Sequence, residues 1–156
     1  MARVIHGAYT TVAGSVAGLA SDTTMLAGRA MAEVNSSSAG LDYQYSGYIG
    51  IATCAGNRKL EFWAYSMTNA SAFPVSAGGM TDLTGIKDGL KFLDSIPVTT
   101  TAAHRIHWGP YSIAKACDGF PPARHGIIIL QNTGDPLQTD VSAHMVGYRT
   151  VEVSSA

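Results

Sequence analysis

Four large aliphatic residues stand together at Ile127–Leu130, inside the stretch PPARHGIIILQNTGDPL that spans 121–137. This run constrains the fold more than any other feature of the chain. A half-buried strand alternates apolar with polar residues. An unbroken aliphatic run bounded by turn residues fits a strand buried on both faces. At a sheet edge the same residues, uncharged and strongly β-forming, would seed aggregation. The run therefore predicts a central strand. Asn132-Thr133-Gly134 then turns the chain, with Gly134 supplying a positive φ, and Pro121-Pro122 stops any preceding element from running into the strand.

The rest of the chain reads in the same sense. Many Gly, Thr, Ser, Val and Tyr residues favour strands and turns over helices. Strands are predicted over Arg3–Val12, Thr24–Val34, Leu41–Thr53, Lys59–Met67, Leu90–Val98, His104 onward with a bend at Gly109-Pro110, and Ala143–Val153. In Leu41–Thr53 the residues Tyr43, Tyr45, Gly47, Ile49 and Ile51 share one face. In Lys59–Met67 the residues Leu60, Phe62, Ala64 and Ser66 share one, opposite Glu61, Trp63 and Tyr65. The short AGNRK link between these two runs reads as a hairpin turn. Thr68–Gly89 reads as loop, with one helical turn near Ile86. About eight strands without βαβ alternation predict an all-β fold: a jelly-roll-like antiparallel β-sandwich with little helix. The domain reading is an N-terminal arm or first strand over 1–18 and a single sandwich over 19–156, a length that buries roughly 70% of the unfolded chain's surface.

Only 13% of the residues are charged, about half the usual share, and the net charge is −1. A surface so poor in charge is expected to be covered in an assembly. No basic run points to nucleic acid, and no apolar run is long enough for a transmembrane helix. The opening segment is interrupted by His6, Tyr9, Thr10 and Thr11 and does not read as a secretory leader. Both ends are expected to be tied into a sheet or an interface. Cys54 and Cys117 form no C-x-x-C pattern and read as buried free thiols.

Motifs that carry chemistry are missing from the reading. His104 and His107, three apart on a strand, point to opposite faces, and His6, His125 and His144 are scattered. GSVAG (14–18) has its serine misplaced for a nucleophile elbow, and no phosphate-binding or zinc-protease motif occurs. Trp63, Tyr65 and Trp108 could line a sugar site but read as core or interface packing. Asn35-Ser36-Ser37 and Asn69-Ala70-Ser71 match the glycosylation pattern by chance. No catalytic residue, cofactor or metal is expected.

Two segments resemble a known group. In the first, Leu19, Ala20, Ser21 and Thr24 are followed by Ala27-Gly28 and Glu33-Val34-Asn35, leading into a Tyr-rich strand. In the second, Gly109-Pro110-Tyr111-Ser112-Ile113-Ala114 leads through Pro121-Pro122 to the aliphatic strand and Asn132-Thr133-Gly134, and a last strand carries Tyr148. This pattern resembles small virion structural proteins of tailed bacteriophages, over roughly residues 19–150. The resemblance implies a non-enzymatic β-sandwich protein of the virion, on the capsid surface and assembled in the host cytoplasm. In that role it would be a cement or decoration protein bound to the major capsid protein and to itself, as dimer or trimer, with no nucleic-acid or membrane partner. A tail or neck component, including a receptor-binding head, and a lectin-like carbohydrate-binding domain are the alternatives. Contact is expected from the arm, through Arg3, Ile5 and Tyr9, and from the loop 69–89, through Phe73, Met80 and Ile86.

Overall fold

The structure, a computed structural model, describes residues 3–12, 15–35, 40–55, 58–67, 80–83 and 90–154, leaving aside the side chains of 32–35, 67 and 80–82. Its strands are β1 (Arg3–His6), β2 (Thr10–Thr11), β3 (Ala27–Asn35), β4 (Asp42–Ile51), β5 (Arg58–Met67), β6 (Met80–Asp82), β7 (Lys91–Val98), β8 (His104–Ser112), β9 (Arg124–Asn132) and β10 (Met145–Ser154). One helical turn, α1 (Ile113–Ala116), follows β8, and a 3-10 turn covers Val141–Ala143.

The strands form two antiparallel sheets. One runs β1-β10-β4-β8, with β2 also on β10, and the other runs β6-β3-β9-β5-β7. The pairing is nested along the chain. β5 pairs with β7, β4 with β8, β3 with β9, and β1 with β10. The β1·β10 and β4·β8 pairs join through β10·β4, while β3·β9 and β5·β7 join through β9·β5. A long antiparallel hairpin folded over in this way is the jelly roll, so the expected all-β sandwich is the observed fold.

β9 lies at the middle of its five-stranded sheet, where the aliphatic run belongs. Ile127 and Ile129 face the space between the sheets, with Tyr43, Tyr45, Ile49 and Ile51 of β4 and Leu60, Phe62 and Ala64 of β5. Ile128 and Leu130 face the opposite side, where Met25, Ala30, Tyr65, Leu83 and Leu90 cover them. All four are fully buried.

One sequence expectation is overturned. The faces of β4 and β5 were read correctly, but the two strands do not form a hairpin. β4 pairs with β8 and β10, β5 pairs with β7 and β9, and the two sit in opposite sheets. Alternation specifies which face of a strand is apolar, and two such strands bury those faces equally well by packing across a core as by pairing. The expected turn near Ile86 lies outside the described residues. The helical turn that is described, α1, is capped by Ser112, whose hydroxyl accepts from the Lys115 amide at 2.9 Å.

Candidate functional site

The segment that leads into β3 and the turn that follows β9 meet in space. After the turn at Ala17-Gly18, Leu19 and Ser21 run beside the end of β9. The Gly134 amide donates to Ser21 Oγ at 2.9 Å, and the Asp22 amide donates to the Gln131 carbonyl at 2.9 Å. Gln131 is the centre of this contact. Its Nε2 donates to the carbonyls of Leu19 at 2.8 Å and Asp135 at 3.2 Å, and its Oε1 accepts from the Thr133 amide at 2.8 Å. The Thr133 hydroxyl lies 2.8 Å from Gln131 Oε1 and 2.7 Å from the Asp135 carbonyl, so its single proton serves one of the two. Gln131 and Thr133 are fully buried. The amide's two donors and its acceptor oxygen are all engaged inside the protein, which fixes its orientation. Gly134 holds φ at 93°, as the turn requires.

Asp22 organises the approach to β3. Its carboxylate accepts from the Thr24 hydroxyl at 2.6 Å and from the amides of Thr24, Leu26 and Ala27 at 2.9, 2.7 and 2.7 Å. The Thr24 hydroxyl, with the backbone donors behind it, holds this carboxyl at about 2, below the usual range. The second half of the pattern is equally structural. Gly109 has φ 78° beside the Tyr45 carbonyl, where a Cβ would sit 2.4 Å from that oxygen. Beyond it, Ile113 is buried in the main core, and the Ala114 amide donates to Asp42 Oδ1 at 2.8 Å.

The residues expected at an interface fall in different places. Arg3 and Ile5 lie on β1, all four of whose residues are exposed. Tyr9 packs on the protein's own sheet: its hydroxyl donates to the Ser46 carbonyl at 2.7 Å, across Gly147. Met80 lies on β6, paired with Arg29 of β3. Phe73 and Ile86 lie outside the described residues. The arm's strands are thus hydrogen-bonded into the sandwich through β10 rather than extending from it.

The remaining candidates are mostly core. His125 is fully buried, with its ring 4.4 Å from that of Tyr43 and its Nδ1 3.3 Å from the Tyr45 hydroxyl; burial pushes its pKa down to about 4. His144 is buried with both ring nitrogens engaged. Nδ1 accepts from the Gly50 amide at 3.3 Å, which leaves the proton on Nε2 to donate to the Gln138 carbonyl at 2.8 Å. Among the described residues, no three His, Cys, Asp or Glu side chains converge as a metal-ligand set. Tyr65 and Trp108 are core, Trp108 stacking on Phe62 at 4.8 Å. Half-buried Trp63 meets Phe92 edge to face at 5.0 Å. Cys54 is a buried free thiol and Cys117 a half-buried one. A shallow groove of about 300 Å³ opens between β7, β8 and α1, lined by Phe92, Tyr111, Ser112 and Lys115. Tyr111 donates to Asp94 at 2.8 Å beside it.

Sequence reasoning missed Gln131 as a centre of structure. The signal was present: Gln131 shares the strand parity of Ile127 and Ile129, so it is an amide placed on a core-facing position. Its partners, Leu19 and Asp135, could not be read from that parity. No family model matches this chain, and no curated protein or solved structure matches it either. Fold and site together define a jelly-roll sandwich in which Gln131 ties the Leu19 segment to the turn after β9.

Proposed function

We propose that the chain is a non-enzymatic virion structural protein of a tailed bacteriophage: a capsid cement protein that clamps neighbouring major-capsid subunits. The observation that carries this reading is the meeting of Leu19, Ser21 and Asp22 with Gln131, Thr133 and Gly134. The residues through which the sequence resembles such virion proteins are scaffold residues, as a protein whose task is to be a rigid brick requires. The jelly roll is a recurrent architecture of capsid proteins, though it also hosts lectins. With 13% charged residues, the surface suits contacts that are weakly screened by salt. Shell stability then comes from many copies, each adding an interface of roughly 1,000–2,000 Å².

The test is to mix purified protein with capsids lacking it, sediment the particles and count bound copies. Hundreds of copies per shell, with raised resistance to heat, are expected. A dozen or fewer at one vertex would move the protein to the neck or tail. A glycan-binding head is the second reading, favoured by the groove in which Phe92 and Tyr111 stand beside Ser112 and Lys115. Absence of capsid binding, together with glycan binding that Phe92→Ala abolishes, would establish it instead.

A further inference from the structure

We propose that β1 is a self-association edge, pairing antiparallel with β1 of a second copy about a two-fold axis through Ile5. This inference rests on the fold alone and is independent of the capsid reading.

The sheet edges differ in how they are protected. β7 and β8 bound the two sheets on one side, and each carries a proline, Pro97 and Pro110, with Lys91 also on β7. Proline and lysine are common blunting devices on edge strands. β1, Arg-Val-Ile-His, has neither. Its four residues are exposed on both faces, and among the described residues no strand pairs with its outer edge. The β1·β10 ribbon is also apolar where it is exposed. Val4 is 64% exposed opposite Val153 at 49%, and Ile5 is 47% exposed on the face that Leu41 shares at 52%.

The hydrogen-bond phase selects the partner and its register. The Gly7 amide donates to the Thr150 carbonyl. Antiparallel pairs alternate between bonded and non-bonded, so Arg3, Ile5 and Gly7 aim their backbone groups at β10, and Val4 and His6 aim theirs outward. Two copies meeting along these outward groups can set Val4 against His6 of the second copy, and His6 against its Val4, each pair exchanging two N–H···O bonds. Ile5 then faces Ile5 of the second copy in the closer, non-bonded position, and Arg3 faces Gly7. The two Arg3 Cα positions lie about 13 Å apart along the strands at ~3.3 Å per residue, beyond a Debye length of ~10 Å. The strand is therefore self-complementary, as a two-fold interface requires. A strand pair with its apolar flanks buries less than the ~1,600 Å² of a standard interface, so the dimer should be weak and reversible.

Sedimentation of the full chain from ~10 μM to ~1 mM, the range in which so small an interface associates, tests this. A monomer–dimer equilibrium is expected. Val4→Pro removes an outward N–H without touching the β10 ladder, and should weaken association at least ~10-fold while leaving the melting temperature within a degree or two. In a Cys117→Ser background, Ile5→Cys should form an intermolecular disulfide on mild oxidation, whereas Arg3→Cys, facing Gly7, should not. If Val4→Pro disturbs folding, this cysteine pair decides the matter. A monomer at every concentration, dimerisation unchanged by a folded Val4→Pro, or equal cross-linking of the two cysteine variants would overturn the proposal. Protection of β1 amides only on capsids would also overturn it, assigning the edge to a strand of another protein.

Discussion

The Gly134 amide donates to Ser21 Oγ across a separation of 113 residues. That bond is one strand of a seam whose centre is Gln131, and the seam closes the turn after β9 onto the segment that leads into β3. Replacing Gln131 with Leu keeps the volume but removes the acceptor of the buried Thr133 amide and leaves the Leu19 carbonyl with the Leu137 amide as its remaining donor. Destabilisation of about 3 kcal/mol, or a melting temperature lower by about 10 °C, is expected by calorimetry. Ser21→Ala, at the exposed margin, should cost only about 1 kcal/mol.

Acid should loosen the sandwich through His125. Burial against Tyr43 and Tyr45 holds its folded pKa at about 4, against an unfolded value of 6.5. Between those values the unfolded chain binds the extra proton, so stability is complete above about pH 6.5 and falls as the pH drops towards 4. The loss attributable to this group is about 3 kcal/mol. His144, whose pKa burial also lowers, adds to the same limb. Urea denaturation at pH 7 and pH 4.5 should show the slope, and His125→Phe should flatten most of it while lowering stability at pH 7. An unchanged slope in that variant would remove His125 from the account.

Asp22 acts with the same sign in a lower range. Its carboxylate is held at about 2 by the Thr24 hydroxyl and three backbone amides, so its contribution is present above the ordinary carboxylate value and fades as the pH falls through about 2. Asp22→Asn retains one acceptor oxygen and loses the charge. A cost of about 1–2 kcal/mol at pH 7 is expected, with faster amide exchange at Leu26 and Ala27, the donors at the start of β3.

The docking of the arm depends on a missing side chain. A Cβ on Gly147 would lie 2.5 Å from the Tyr9 ring and 2.6 Å from the Thr10 carbonyl. Gly147→Ala should therefore expel Tyr9 from Ser46 and open β2 from β10, raising amide exchange there by at least ~10-fold through local opening while the β9 amides stay protected. Tyr9→Phe loses only the hydroxyl bond and should have a smaller effect, about 1 kcal/mol or less. Equal exchange in wild type and Gly147→Ala would show that Tyr9 does not hold the arm.

Most of the strands and their faces were legible because they depend on short-range pattern. Alternation through Tyr43, Tyr45, Ile49 and Ile51 identified the inner face of β4, and the unbroken run Ile127–Leu130 identified a strand covered twice. Pairing was not legible, and the expected β4·β5 hairpin failed for that reason. The site was less legible still. Gln131 could be seen as an amide on a core-facing position, but Leu19 as its acceptor comes from 112 residues away.

By itself the sequence determined an all-β chain, the buried faces of β4 and β5, the central place of Ile127–Leu130 and the turn at Gly134. These follow from side-chain period, β-branching and backbone sterics, which act over a few residues. Only the tertiary structure decided that the strands nest as a jelly roll, that the Leu19–Asp22 segment meets the end of β9 at Gln131, and that among the described residues no strand pairs with the outer edge of β1. Those outcomes depend on which of several equally apolar faces and edges meet. That choice is made by the summed burial and hydrogen bonding of the whole chain, to which no local window has access.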